Sequence, residues 1–174
     1  MSIFKKKNNV PQSMWTNPIE FIACGFGVGA IPWMPGTFGT MLGVVFYLFL
    51  IRFSLLTYSI IALVLFIFGL IICDITNRHF GTFDHPAAVW DEVVGFLFVM
   101  IAIPKIWYFI LMGFILFRIF DIWKPWPISC LEKNIGGGLG VMIDDIMAAL
   151  YTWVILVIII NVFNIYQCSN SIRK

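Results

Sequence analysis

Two acidic pairs, Asp91-Glu92 and Asp144-Asp145, stand beside long apolar runs, and the stretch RIFDIWKPWPI (118–128) adds Arg118, Asp121 and Lys124 between two nearly pure hydrocarbon segments, 106–117 and 146–163. Ionisable groups at the edge of a bilayer are costly to desolvate, so they need a physical reason to be there. The reason read here is chemistry on a charged headgroup. Six of the chain's 9 acids (Asp84, Asp91, Glu92, Asp121, Asp144 and Asp145) fall in polar blocks of this kind. Gathered without compensation they would repel one another. A hard divalent cation resolves that conflict, and Mg²⁺ in particular takes carboxylates, water and phosphate oxygens. Calcium is chemically open, but no EF-hand loop is present. The near-absence of histidine from the blocks argues against zinc.

The residues around the acids fit the same chemistry. Asp91 and Glu92 are roughly 100° apart on a helix, so both can lean into one pocket. Gly95 follows Asp91 by four residues and lets a neighbouring helix approach. Arg118 and Asp121 share a helix face at i,i+3, and Pro125 and Pro127 end that helix with Lys124 at its last turn. Arg118 offers a planar fork for phosphate and Lys124 a mobile point charge. The blander alternative is an internal Arg–Asp salt bridge with a snorkelling lysine. GGGLGVMIDD (136–145) leads into a helix bearing Asp144 and Asp145, with Ala148 and Ala149 four residues beyond each for close packing. A further block, GFGVGAIPWMPGTFGT (25–40), opens an apolar helix. Gly36 allows an unusual turn there, and helix-start N–H groups can receive an anion. Its spacing is not that of a P-loop. For 25–29 a tight turn at the bilayer surface is an equal reading.

These residues need elements to hold them. The chain has 174 residues, 61% hydrophobic and 11% charged, far from the soluble average of about 25% charged. It reads as a single membrane-embedded domain, 1–174, with residues 1–17 a polar, flexible tail. A net charge of +2 gives no case for nucleic acid, and no obligate protein partner is implied. Cys24, Cys73, Cys130 and Cys168 are scattered without a CxxC pair, which leaves disulfide and zinc readings without support. Residues 53–73 carry no charge and at 1.5 Å per residue cross a ~30 Å hydrocarbon core. Residues 146–163 form a second span, and 38–51 a third, with Thr37 or Thr40 as its N-cap. The run 93–117, broken by Pro104-Lys105, is read as a helical hairpin with arms 86–103 and 106–123, its lysine at the far interface.

The expected fold is therefore all-α, a polytopic membrane helical bundle of about five membrane-embedded helices including that hairpin. With the N-terminus in the cytoplasm, Lys5, Lys6, Lys7, Arg78, Arg118, Lys124 and Lys133 lie inside, against Arg52, Lys105, Arg173 and Lys174 outside, in line with the positive-inside tendency. Five crossings also put all the polar blocks on one face.

The ordered motifs PGTFGT (35–40), WDEVVG (90–95), FRIFDIWKPWPI (117–128) and GGLGVMIDDIMA (137–148) resemble the bacterial phosphatidylglycerophosphatase A family, over most of the chain from about Phe21 to the final helix. One departure is Ala148-Ala149, where the family often has glycine at the second position. The resemblance implies a Mg²⁺-dependent, multi-pass enzyme of the bacterial inner membrane with its site facing the cytoplasm. It would act on a phospholipid substrate in the bilayer, hydrolysing the terminal phosphate of phosphatidylglycerophosphate to give phosphatidylglycerol and inorganic phosphate.

On that reading Asp91, Glu92, Asp121, Asp144 and Asp145 are the catalytic and metal-holding set. Arg118 and Lys124 bind phosphate oxygens, helped by backbone near Gly36, Thr37, Gly137 and Gly138. One acid would be left as a base or nucleophile; the residues leave that choice open. The main rival is a cation- or proton-coupled transporter using the same carboxylates, although transporter acids usually sit near mid-membrane within repeated halves and no repeat is visible. A non-enzymatic lipid-binding subunit would tolerate loss of the acids. A phosphatidyl transferase would need a spaced D-x-x-D-G acid array that is absent.

Overall fold

A computed structural model describes residues 10–82, 84–128 and 137–172. Lys5, Lys6, Lys7, Cys130, Lys133, Arg173 and Lys174, all used in the sequence reading, lie outside them. Among the described residues all regular structure is helical: α1 (Pro18–Ala23), α2 (Pro35–Leu50), α3 (Leu55–His79), α4 (Trp90–Val99), α5 (Trp107–Trp123) and α6 (Gly137–Ile172), with 3-10 turns at Gln12–Trp15 and Val28–Ala30.

The helix ends follow local chemistry. Asn17 caps α1 by accepting from the Ile19 N–H, with Pro18 in the first turn. Ser54 caps α3 by accepting from the Thr57 N–H. Thr37 and Thr40 are not the caps of α2: the helix starts earlier, at Pro35, because Met34 takes a left-handed conformation (φ 53°) that turns the chain into it. The Thr40 hydroxyl instead donates back to the Gly36 carbonyl at 2.9 Å. At the same end of the bundle, Lys124 (φ 43°) stops α5 just before Pro125.

Among the described residues two helices are long and apolar enough to cross a membrane, Leu55–His79 and Gly137–Ile165. Helix α2 is apolar but has 16 residues, or ~24 Å. The expected arm 86–103 shortens to the 10 residues of α4, ~15 Å, which is too short to span. Residues 86–89 are instead held as a loop: the Val89 N–H donates to the Ala23 carbonyl at 3.0 Å and the His85 N–H to Asn77 Oδ1 at 3.0 Å. The block 25–29 packs on this loop. Gly29 lies so close to the Ala87 carbonyl that a side chain there would overlap it, so these glycines serve packing.

Short as it is, α4 is the centre of the bundle. Helices α2, α3, α5 and α6 all pack on it, and Val93, Val94, Phe96, Leu97 and Val99 are fully buried. The interruption at Pro104-Lys105 does separate two antiparallel helices. Gly95 of α4 faces Phe117 of α5, whereas Gly113 of α5 faces Val99, so the contacts run in opposite directions along the two helices. The turn reaches the end of α2, where Lys105 Nζ donates to the Ile51 carbonyl. Met14, expected in a loose tail, is fully buried with Cys24 and Ala87, so the packed body begins before residue 18. Large apolar side chains cover the outer faces, among them Phe49, Leu56, Val64 and Ile122. An outer surface of this kind fits lipid better than water.

Candidate active site

Three helix ends meet at the end of the bundle away from the Pro104-Lys105 turn. The first turn of α4 brings Asp91 and Glu92, the last turns of α5 bring Arg118 and Asp121, and the third turn of α6 brings Asp144 and Asp145. Carboxylate oxygens of Asp91, Glu92 and Asp145 all lie within 4.8 Å of one another, and all three residues are buried or nearly so. Close packing makes this possible. A Cβ on Gly95 would stand 2.7 Å from the Phe117 ring and 3.3 Å from Asp145 Cβ, so only glycine lets α4, α5 and α6 converge at this level.

Cations flank the acids. Arg118 Nη1 is 2.5 Å from Asp121 Oδ2, 4.0 Å from Glu92 Oε1 and 3.4 Å from Thr40 Oγ1. Lys124 Nζ is 2.6 Å from Asp144 Oδ2. The five acids thus divide into three facing one another and two each paired with a base. Gly36 backs the arrangement: a Cβ there would press on Glu92 Oε1 and come within 3.0 Å of the Arg118 guanidinium. Thr37 sits on the same first turn of α2. Gly137 and Gly138 are placed differently. The Gly138 N–H donates to Asp74 Oδ1 at 3.1 Å, so this helix start is held by α3 and its N–H is already engaged.

Several polar atoms at the site are buried without a hydrogen-bond partner: Asp145 Oδ2, Glu92 Oε2, Arg118 Nε and Thr37 Oγ1. Buried polar groups are almost always paired, so such atoms call for a ligand. Orphaned carboxylate oxygens within a hard-oxygen cluster fit a divalent cation such as Mg²⁺, and orphaned donors beside it fit an oxyanion. Cys24 does not fit thiol chemistry. Burial first, then the fields of Glu20 and Asp91, pushes the Cys24 thiol up to about 12, so it carries its proton at neutral pH.

Asp74 and Glu20 were absent from the sequence reading. Asp74 pairs with Arg78 at 2.9 Å, an i,i+4 spacing that was legible on a helix; its bond to Gly138 was not. Buried Glu20 accepts from Asn17 Nδ2 at 2.9 Å and lies 3.0 Å from His79 Nδ1, and only its place three residues after Asn17 was a signal.

Comparison with known proteins gives a consistent result. The phosphatidylglycerophosphatase A family matches residues 21–160. A protein of Escherichia coli K12 named phosphatidylglycerophosphatase A is 36% identical over 151 residues, covering 85% of this chain and 88% of its own. One of Haemophilus influenzae with the same name is 42% identical over 144 residues, covering 80% and 87%. A third, from Bacteroides thetaiotaomicron, carries a provisional name as a phosphatidylinositol-3-phosphatase and is 37% identical over 145 residues, covering 79% and 90%. No solved structure matches the chain.

Proposed function

The chain belongs to the phosphatidylglycerophosphatase A family, and from that membership we propose that its acidic cluster hydrolyses the terminal phosphate of phosphatidylglycerophosphate with Mg²⁺ as cofactor. The observation that carries the reading is the convergence of Asp91, Glu92 and Asp145 beside Arg118. The named relatives are phosphatases, and nothing in them favours the transporter alternative.

Asp91, Glu92 and Asp145 would hold the ion through the oxygens that now face one another. When bound, it supplies charge neutralisation for the phosphate and lowers the pKa of an associated water. Arg118 and Lys124 bind the phosphate oxygens. Both are now held by acids, Asp121 and Asp144, which orient them and keep the cations in place before substrate arrives. As phosphate oxygens replace those carboxylates, Asp121 or Asp144 is released within reach of the reacting group and can accept a proton from the attacking water. Phosphoryl transfer depends mainly on positioning and electrostatic stabilisation, and this set of residues supplies both.

In the membrane, α3 and α6 cross the bilayer, and α2 with the α4–α5 hairpin completes a five-helix embedded bundle. The polar end faces the cytoplasm of a bacterial inner membrane, in keeping with the distribution of Lys and Arg. The purified protein is expected to release inorganic phosphate from phosphatidylglycerophosphate with Mg²⁺, to stop when EDTA removes the metal and to resume on its return. Undiminished release in EDTA would refute the metal's role, and no release under any condition would refute the activity.

A further inference from the structure

A crevice between α2 and α5 leads along the bundle surface to the acidic site. Its upper part, about 590 Å³, is lined by Met34, Thr37, Phe114, Arg118, Ile119 and Trp123 among others. Below Phe114 it continues, about 350 Å³ in volume, past Leu48 and Met41 to Trp107. From Trp123 to Trp107 the lining helix is ~24 Å long, more than the ~15 Å depth of one leaflet. Helix α2 rests mainly on α4 and α5 mainly on α6, and the two touch each other only lightly, which leaves the crevice open sideways.

Its polarity is one-sided. The lower part is lined by hydrocarbon and Trp107, and polar groups enter only at the upper end, through Thr37 and Arg118. There Thr37 Oγ1 and Arg118 Nε are the buried atoms lacking partners, and Arg118 reaches on to Glu92 and Asp121. A second lateral crevice, of about 290 Å³ between α4 and α6, is lined by Phe98, Ile101, Ile146, Ala149, Leu150 and Trp153 and meets no charged group. A ligand matched to the α2–α5 crevice is a long apolar chain with an anion at one end.

We propose that the α2–α5 crevice binds an acyl chain and the adjoining glycerol of the lipid phosphomonoester, with Thr37 and Arg118 receiving the polar end. The inference rests on the phosphatase reading and adds the route: substrate slides in from the leaflet with its chain still in an apolar setting, and the phosphate reaches the acids past Arg118. Burial of the chain along Phe114 and Ile119 then contributes to recognition, so the protein distinguishes a lipid from a soluble phosphomonoester with the same headgroup.

The test compares two substrates, phosphatidylglycerophosphate with long acyl chains and its water-soluble dibutanoyl analogue. Ile119→Trp places a large ring in the crevice on a half-exposed position, away from the acids. It should lower kcat/KM for the long-chain lipid about tenfold or more, the scale on which hydrophobic pockets discriminate, and change the short-chain analogue by less than about twofold. Leu150→Trp, the same change in the α4–α6 crevice, should leave both unchanged. Equal losses on both substrates, no loss on either, or a matching loss in Leu150→Trp would overturn the proposal. Photolabelling of the wild-type protein by phosphatidylglycerophosphate bearing a diazirine in its acyl chain needs no turnover and so separates the two readings. Label in segments 34–48 and 107–123 supports the crevice even if no phosphate is released. Label confined to 146–153 overturns it even if phosphate release is intact.

Discussion

Two groups of acids lie near each other in this bundle with opposite surroundings. Asp74 meets α6 at Gly138, about two turns before Asp145. Its partners are all of opposite character: the Arg78 guanidinium at 2.9 Å and a backbone N–H at 3.1 Å. Glu20 also finds opposite character, one oxygen taking both Asn17 and His79, although its other oxygen is buried without a partner. Asp91, Glu92 and Asp145 instead face one another, with carboxylate oxygens of two of them unpartnered. Acids that find donors within the fold fasten helices together. Acids that crowd together, with only Arg118 at 4.0 Å from Glu92 to offset them, make sense when something from outside completes them.

Substitutions can break or sharpen that contrast. Asp145→Asn removes a charge from the inward-facing trio and should lower phosphate release about 10²–10³-fold, the range for losing one group that stabilises transition-state charge, with the protein still monodisperse on size exclusion. Full activity in that variant would erase the distinction between the two groups. Arg118→Lys keeps the charge but loses the planar guanidinium, whose Nη1 lies between Asp121 and Glu92. Activity should fall about 10–100-fold, as for groups that orient a metal site from one step away, with KM rising as the phosphate loses its bidentate partner.

Asp74→Asn tests the fastening group. It weakens the Arg78 pair and the cap on α6, so thermal stability should drop by about 1 kcal/mol, discounted because Asp74 is about a quarter exposed, while kcat changes only a few-fold. A loss as large as that of Asp145→Asn would move Asp74 into the site. His79→Gln is expected to have the smallest effect. His79 is more than half exposed, and glutamine can still donate to Glu20, so both melting temperature and turnover should stay close to wild type.

How much of this was legible beforehand differs between residues. The i,i+3 pair of Arg118 and Asp121, the neighbouring Asp91 and Glu92, and the need for glycine at Gly95 follow from helix geometry, and the structure contains each of them. Helices α3 and α6 were visible as charge-free runs. The start of α2 departs from the sequence expectation because Met34 adopts a left-handed turn that no local propensity favours. The helix in 86–103 is shorter than its composition suggests because apolar composition alone does not distinguish a helix from a buried loop tied to α1 and Asn77. The roles of Glu20 and Asp74 are not legible in the sequence because their partners lie 59 and 64 residues away.

The linear order of residues by itself determined the chemical inventory: apolar helices, acids and bases confined to a few polar blocks, and a proline-lysine break between two antiparallel arms. Those properties depend on residue type and on spacings of one helical turn. Only the tertiary structure decided how the acids are shared out, with Asp91, Glu92 and Asp145 facing one another while Asp121 and Asp144 hold Arg118 and Lys124. That division depends on how closely three helices approach, and the approach is set by packing of α4 inside its neighbours, a relation among distant parts of the chain that no local spacing encodes.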